Sequence, residues 1–357
     1  MSILWERFIH LCSWQKSSDA LAQLRAIHYS NAKRNLQTIV KLIEQDISLN
    51  ASNLLERFEK LPPESKHRLQ LAPDTHTQSV LCNPNNAAEY LHNAIEVEMR
   101  AIKRQHLRHS SPHIYRNAAV DYRLGSGPFV DLKGPDVLRP LPDIPGQAAR
   151  LPSEAAQSVL IRLHHAYHSI GNVSKYAQAL IDQTTLVIVC REDVSLPTCV
   201  AACSPIAIGR TVLRNPHRTE VDEEELAECL IHEAIHTAID IAELESPMFL
   251  PATVSNVKLI SPWSGRSLDI NTYLQACWVW FGLASFWADA LVSQAFDMKK
   301  SFFRLNRALR GFTTDISVPL VPMYEVLNST MLCSLKSSQQ LAQELLTTYN
   351  LSGAEKF

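Results

Sequence analysis

The stretch ECLIHEAIHTAID contains two histidines, His232 and His236, four residues apart with Glu233 between them. On a helix this spacing places both imidazoles on one face, about 40° apart, where they can bind a single metal ion. Glu233 points about 100° away from His232, toward the rim of the same site, where it would act on a metal-bound water or orient a ligand. Many zinc peptidases carry this spacing, so the first question is whether the chain hydrolyses peptides.

A helix has to hold the motif. The segment HRTEVDEEELAECLIHEAIHTAIDIAELES begins with a capping residue, Thr219, and acidic residues in the first turn, and its helical pattern runs to Pro247. Its apolar residues predict a buried helix: Leu230, Ile231, Ile235 and Ile239. Because an unpartnered histidine pair is costly in a buried helix, a metal site explains the pair better than a chance arrangement on a solvated face.

Strands precede this helix. The runs TTLVIVC and SPIAIGRTVLRN predict two short strands, and a strand followed by an HExxH helix is typical of zincin-like metal sites. The first 108 or so residues have apolar positions at three- and four-residue intervals, which predicts helices. We therefore predict an α+β, helix-dominated fold with a small sheet next to the HExxH helix.

Proline content indicates a boundary between two regions. Five prolines occur in LKGPDVLRPLPDIPGQAARLP, which is typical of an extended loop or a linker. We predict a helical N-terminal region over residues 1–115 and a catalytic HExxH domain over residues 116–357. The N-terminal region carries no chemical motif, so it is a candidate surface for a leader peptide or a partner.

The charge balance limits the classes of partner that we expect, and the cysteine content indicates the cellular compartment. The 34 basic and 36 acidic residues give a net charge of −2, so we expect no general attraction to nucleic acid or membranes. The N-terminus does not read as a signal peptide, and the eight scattered cysteines favour a reducing cytoplasm. The most apolar run, ACWVWFGLASFWADALV, is shorter than the ~20 residues of a membrane span and predicts a core helix. The sequence leaves the oligomeric state open.

A metal bound by two histidines usually needs a third protein ligand. Glu243 lies only about 20° from His232 around the helix, but it is about two turns beyond His236 and would reach the metal only if the helix broke first. The sequence downstream has neither a second acidic helix of the E-x3-[DE] kind nor an H-x5-H extension with glycine. These absences weaken the peptidase hypothesis.

The sequence after the motif supports another class. SPWSGRSLDINTYLQACWVWFGLASFW gathers four of the six tryptophans in 25 residues. Together with HEAIH, the SPW element and the aromatic run resemble bacterial HExxH-motif proteins associated with ribosomally made peptides, which are iron- and 2-oxoglutarate-dependent peptide β-hydroxylases. The resemblance covers roughly residues 204–287.

The resemblance implies that His232 and His236 bind Fe(II), with open positions for 2-oxoglutarate and oxygen, and that Glu233 need not be a general base. Related sequences often have a histidine where this chain has Gln275. An amide binds iron less well than an imidazole, so this difference implies reduced activity or a third ligand elsewhere.

The cosubstrate carboxylate needs a fixed cation, for which Arg266 is the first candidate and Arg210 the second. The predicted reaction is insertion of one oxygen atom into a β C–H bond of a residue in a precursor peptide. Two alternatives remain: a zinc-dependent peptidase that uses Glu233 as general base, and a catalytically impaired peptide-binding protein.

Overall fold

A computed structural model describes the chain over seven segments: residues 4–15, 18–46, 51–103, 122–125, 127–134, 147–249 and 257–351. The chain forms two compact units. The HExxH unit consists of Met1–Arg25, His165–Leu180 and Glu223–Phe357, and the sheet unit consists of Ala26–His164 and Ile181–Asp222. The boundary predicted near residue 115 lies outside the described residues. The two units interleave along the chain, whereas the sequence suggested an N-terminal and a C-terminal region.

Helices make up most of the described chain. They are α1 Leu4–Cys12, α2 Ser18–Gln45, α3 Ala51–Glu59, α4 Pro63–Leu71, α5 Pro73–Leu81, α6 Pro84–Lys103, α7 Ala155–Val173, α8 Lys175–Thr184, α9 Glu223–Glu243, α10 Ile270–Ser293, α11 Met298–Leu309 and α12 Ser329–Thr348. Two 3-10 helices, Arg310–Thr313 and Val318–Met323, connect α11 to α12.

The strands are short. They are β1 Tyr122–Arg123, β2 Phe129–Asp131, β3 Ala148–Ala149, β4 Val187–Asp193, β5 Val200–Cys203, β6 Arg210–Arg214, β7 Lys258–Ile260 and β8 Ser267–Asp269. The helix-dominated α+β fold predicted from the sequence is confirmed.

The larger sheet belongs to the sheet unit and has the order β1-β2-β4-β6-β5, with β3 paired to β4. The central strands β2, β4 and β6 are parallel, and the other pairings are antiparallel. The predicted runs TTLVIVC and SPIAIGRTVLRN contain most of β4 and all of β6. In the HExxH unit, the unit that contains α9, β7 and β8 form an antiparallel pair.

Helix α10 is the central element of the HExxH unit. The Asp269 carboxylate caps its N-terminus by accepting from the Thr272 amide at 2.8 Å. Among the described residues, α10 is the one helix long and apolar enough to cross a membrane, yet 67% of its most apolar window is buried in the protein. This burial agrees with the predicted core helix.

A glycine lets α10 approach the motif helix α9. Gly282 of α10 faces Ile235 of α9, and a Cβ at position 282 would overlap the end of the Ile235 side chain. Helix α1 joins the same core, because the Trp14 indole donates to the Gly282 carbonyl at 2.8 Å and Trp5 stacks on Trp278. The first helix therefore packs in the HExxH unit.

Trp263 of the SPW element is fixed from three directions. Its indole donates to the Ala308 carbonyl at 2.8 Å, its ring stacks on Trp280, and Phe312 meets it edge-on. Gly311 leaves room for this ring, since a Cβ at position 311 would overlap the indole. The SPW element is thereby attached to α10 and to the end of α11.

This packing makes Gly311→Ala destabilising although alanine is normally the better helix former. A rigid indole cannot yield as a flexible side chain would, so we expect a loss of roughly 1–3 kcal/mol in the free energy of unfolding, measured by urea denaturation. In a Trp263→Ala background the same change should become neutral or stabilising. An equal loss in both backgrounds would contradict the proposed overlap.

Candidate metal centre

Helix α9 carries both motif histidines on one continuous helix. It runs without a break from Glu223 to Glu243, and its first turn is acidic, which stabilises the N-terminal end. His232 and His236 are half-buried, while the helix around them is largely buried. The helix and its burial were predicted correctly, but the helix begins at Glu223, four residues after the predicted cap Thr219.

The two imidazoles point at each other. Their Nε2 atoms are 3.1 Å apart, and the Nδ1 atom of His236 lies 2.6 Å from the Oε1 atom of Gln275 on α10. An amide oxygen can only accept, so Nδ1 of His236 carries the proton and its Nε2 presents a lone pair toward His232. Gln275 therefore orients His236 in the tautomer that a metal ligand needs.

The 3.1 Å separation fits two ligands of one metal ion. With metal–nitrogen bonds of about 2.1 Å, two such atoms subtend an angle of about 95° at the metal. In the absence of a metal, a proton on His232 Nε2 bridges the same gap as a hydrogen bond to His236.

The surroundings keep His232 neutral. Desolvation lowers the pKa of His232 well below its ordinary value, and the neighbouring His236 and the positive charge of Arg307 act in the same direction. A neutral imidazole is the form that binds a metal. The environment thus favours the ligand form of this histidine at neutral pH.

Glu233 is buried next to the pair. Its Oε1 atom is 3.9 Å from His232 Nε2, which is too far for a hydrogen bond. A carboxylate at this distance can receive a proton from, or hydrogen-bond to, a group bound beside the histidines. The position agrees with the rim location expected from the helical spacing.

The third ligand is not supplied by a ready-made cluster. Within the described segments, no group of three or more His, Cys, Asp or Glu side chains is arranged to hold a metal ion. Glu243 stays on the unbroken helix about 10 Å beyond His236 along the axis. Its carboxylate accepts from the Met248 amide at 3.4 Å, and desolvation raises its pKa. The condition under which Glu243 could be a ligand, a break in the helix, is therefore not met.

The candidate arginines lie in different surroundings. Arg266 is exposed in the turn between β7 and β8. Arg210 belongs to the sheet unit, where its guanidinium makes a buried ion pair with Asp74 at 3.0 Å. This structural role explains the presence of Arg210 without any cosubstrate.

Sequence reasoning missed a charged cluster beside the histidines. Glu228 lies one turn before His232, and its carboxylate accepts from Arg304 at 3.2 Å, from Arg307 and from the Trp287 indole at 3.0 Å. The signal was present, because Glu228 and His232 share the four-residue spacing of the motif. Its arginine partners come from α11, and only the fold brings them to α9.

The tryptophans divide between core and surface. Trp278 is fully buried and packs against α1, whereas Trp263 and Trp280 are half-buried and stack with ring centroids 6.0 Å apart. The Arg307 guanidinium lies over the Trp280 ring at 5.7 Å. Of these three tryptophans, Trp263 and Trp280 are the two that are partly exposed to solvent.

Comparison with known proteins identifies no family. No protein-family model matches the chain, and no curated protein sequence matches it. The resemblance to HExxH-type hydroxylases therefore depends on the motif residues alone.

The geometry gives a direct test of metal binding. His236→Ala removes a ligand and should abolish tight Fe(II) binding, while Gln275→Leu removes only the orienting acceptor and should weaken binding by roughly 10–100-fold. Binding can be measured by anaerobic equilibrium dialysis with metal analysis. Gln340→Leu, at an exposed helical glutamine of α12, is the matched control and should bind as the wild type does. Unchanged affinity in Gln275→Leu would refute the orienting role.

Proposed function

We propose that the protein is an Fe(II)- and 2-oxoglutarate-dependent oxygenase that hydroxylates the β-carbon of a residue in a ribosomally made precursor peptide. The observation that carries the proposal is the His232–His236 pair, whose Nε2 atoms lie 3.1 Å apart and could reach a single ion. An ion held by these two side chains would have positions left for a bidentate 2-oxoacid and for oxygen. Iron with 2-oxoglutarate and oxygen would supply the oxidising chemistry.

The protein's own groups would position and shield this chemistry. His232 and His236 would hold the ion, and Gln275 would keep the His236 ring in place through its Nδ1–H. Glu233, buried beside His232, would act through hydrogen bonds to groups bound at the centre, without being an obligatory base. In the zinc-peptidase alternative, Glu233 would have to take a proton from water.

Arg307 is a further candidate for binding the 2-oxoglutarate carboxylate, in addition to Arg266. Its charge reaches His232, its side chain is 42% exposed, and only part of its five-donor guanidinium is needed by Glu228. The stacked pair Trp263 and Trp280 would form an apolar wall beside it.

We place the reaction in the cytoplasm, with a peptide as the partner and no nucleic acid or membrane involved.

Glu233→Gln separates oxidation from hydrolysis because the two mechanisms require different things of this side chain. The test incubates anaerobically purified, iron-loaded protein with 2-oxoglutarate, oxygen and candidate precursor peptides, and follows succinate and peptide mass. We expect a gain of one oxygen that depends on 2-oxoglutarate, and partial succinate formation in Glu233→Gln. Zinc-dependent peptide cleavage that needs no oxygen, and that falls by orders of magnitude in Glu233→Gln, would establish the peptidase instead.

A pair of arginine variants tests the cosubstrate site. Lysine keeps the charge but loses the bidentate fork, so Arg307→Lys should weaken the apparent affinity for 2-oxoglutarate by on the order of tenfold. Arg266→Lys is the comparison, with succinate formation titrated against 2-oxoglutarate in both. A loss of affinity seen only in Arg266→Lys would indicate that the 2-oxoglutarate carboxylate binds at the turn between β7 and β8. Unchanged affinity in both would exclude both residues.

A further inference from the structure

A cavity opens in the HExxH unit, away from the motif residues. Its volume is about 260 Å³, and its walls come from α10, α12 and the residues that follow α1. The lining residues are Ser13, Gln15, Phe281, Ser285, Ala288, Asp289, Leu341, Glu344, Leu345 and Thr348. A cavity of this size accommodates a small molecule or one long side chain.

The charged side chains that line this cavity are acidic. Asp289 of α10 and Glu344 of α12 are the charged residues among those that line it, and both are exposed to solvent. The remaining walls combine apolar side chains, such as Leu341 and Leu345, with hydroxyl and amide groups. Two carboxylates beside an apolar wall are complementary to an organic cation with a short hydrocarbon chain.

Ser285 provides an independent observation. The residue is nine-tenths buried and lines the cavity, and no hydrogen bond joins its hydroxyl to another group in the described part of the chain. It lies four residues before Asp289, so the two side chains share one face of α10. Solvent reaches this hydroxyl, which is therefore available to hydrogen-bond to water or to a group bound in the cavity.

We propose that this cavity binds a primary ammonium group carried on a short alkyl chain. Asp289 and Glu344 compensate the charge, the Ser285 hydroxyl accepts one ammonium N–H, and the alkyl chain contacts Leu341 and Leu345. A free alkylamine and the lysine side chain of a peptide both carry such an ammonium group on an alkyl chain. The proposal does not depend on the metal centre.

The ionisation of Asp289 agrees with such a site. Partial desolvation raises its pKa to about 6, so the carboxylate is largely ionised at neutral pH. Desolvation also raises the pKa of Tyr349, and the charge of Asp289 adds to that shift. A bound cation would interact favourably with this ionised carboxylate.

The probe is n-pentylammonium, compared with 1-pentanol, which has the same chain without the charge. Ligand-observed NMR with the full-length protein measures both affinities. We expect the amine to bind at least about tenfold more tightly than the alcohol, since a charge-assisted contact in a partly desolvated site contributes ~1.4 kcal/mol or more. Equal binding of amine and alcohol would overturn the proposal without any variant being needed.

Three variants locate the site. Asp289→Asn and Ser285→Ala should each weaken amine binding several-fold, and the double variant Asp289→Asn/Glu344→Gln should reduce it to the level of the alcohol. Glu245→Gln, at an exposed acid outside the cavity, is the matched control. Thermal unfolding checks that each variant is folded. Amine binding that persists in the folded double variant would refute the assignment.

N-acetyl-lysine amide distinguishes the two sources of the ammonium group. Affinity equal to that of pentylammonium would indicate that the cavity accepts a lysine of a peptide. Much weaker binding of the blocked lysine would assign the cavity to a free amine. The variant His236→Ala should lose the activity proposed for the metal centre but should bind the amine as the wild type does. The failure of one proposal therefore does not affect the other.

Discussion

The close approach of α10 to α9 determines the geometry of the candidate centre. Gly282 allows this approach because the Ile235 side chain occupies the space that a Cβ would need. Two turns earlier on α10, Gln275 reaches His236 at 2.6 Å and fixes its ring. If the helices moved apart by even 1 Å, this hydrogen bond would be lost, and both ring orientation and tautomer would become variable. The packing of α10 against α9 in the core therefore sets the orientation of the half-buried His236 ring.

Charge compensation is the second constraint on the centre. A carboxylate on the histidine face, Glu228, would otherwise compete for the ion or raise the basicity of the imidazoles. It is instead paired with Arg304 and Arg307 and hydrogen-bonded by the Trp287 indole. Desolvation lowers the pKa of His232, and the positive charge of Arg307 adds to this shift, so His232 stays neutral. The same arrangement leaves a cation near the histidines, where an anionic cosubstrate would be attracted.

Some of this arrangement could be predicted from the sequence and some could not. The motif helix, its burial, two strands and the core helix α10 were predicted because each depends on local periodicity and capping. The unit boundaries could not be predicted, since α1 joins the HExxH unit through long-range contacts such as the Trp14–Gly282 hydrogen bond. The role of Gln275 was also missed. It was considered as a substitute for a ligand, whereas its contact with His236 is a property of helix packing.

The position of the cavity along α10 limits how it could relate to the metal centre. Gln275 and Asp289 are fourteen residues apart on one helix, which corresponds to about 21 Å along its axis. A ligand in the cavity would thus not touch an ion held by His232 and His236. An extended peptide advances about 3.3–3.6 Å per residue, so a lysine bound at Asp289 would lie at least about six residues from the residue presented to the histidines. If the ligand were a lysine of a precursor peptide, its binding at Asp289 would help to select the residue that is modified. The number of residues between the lysine and the modified residue would have to match the distance between Asp289 and Gln275 along α10.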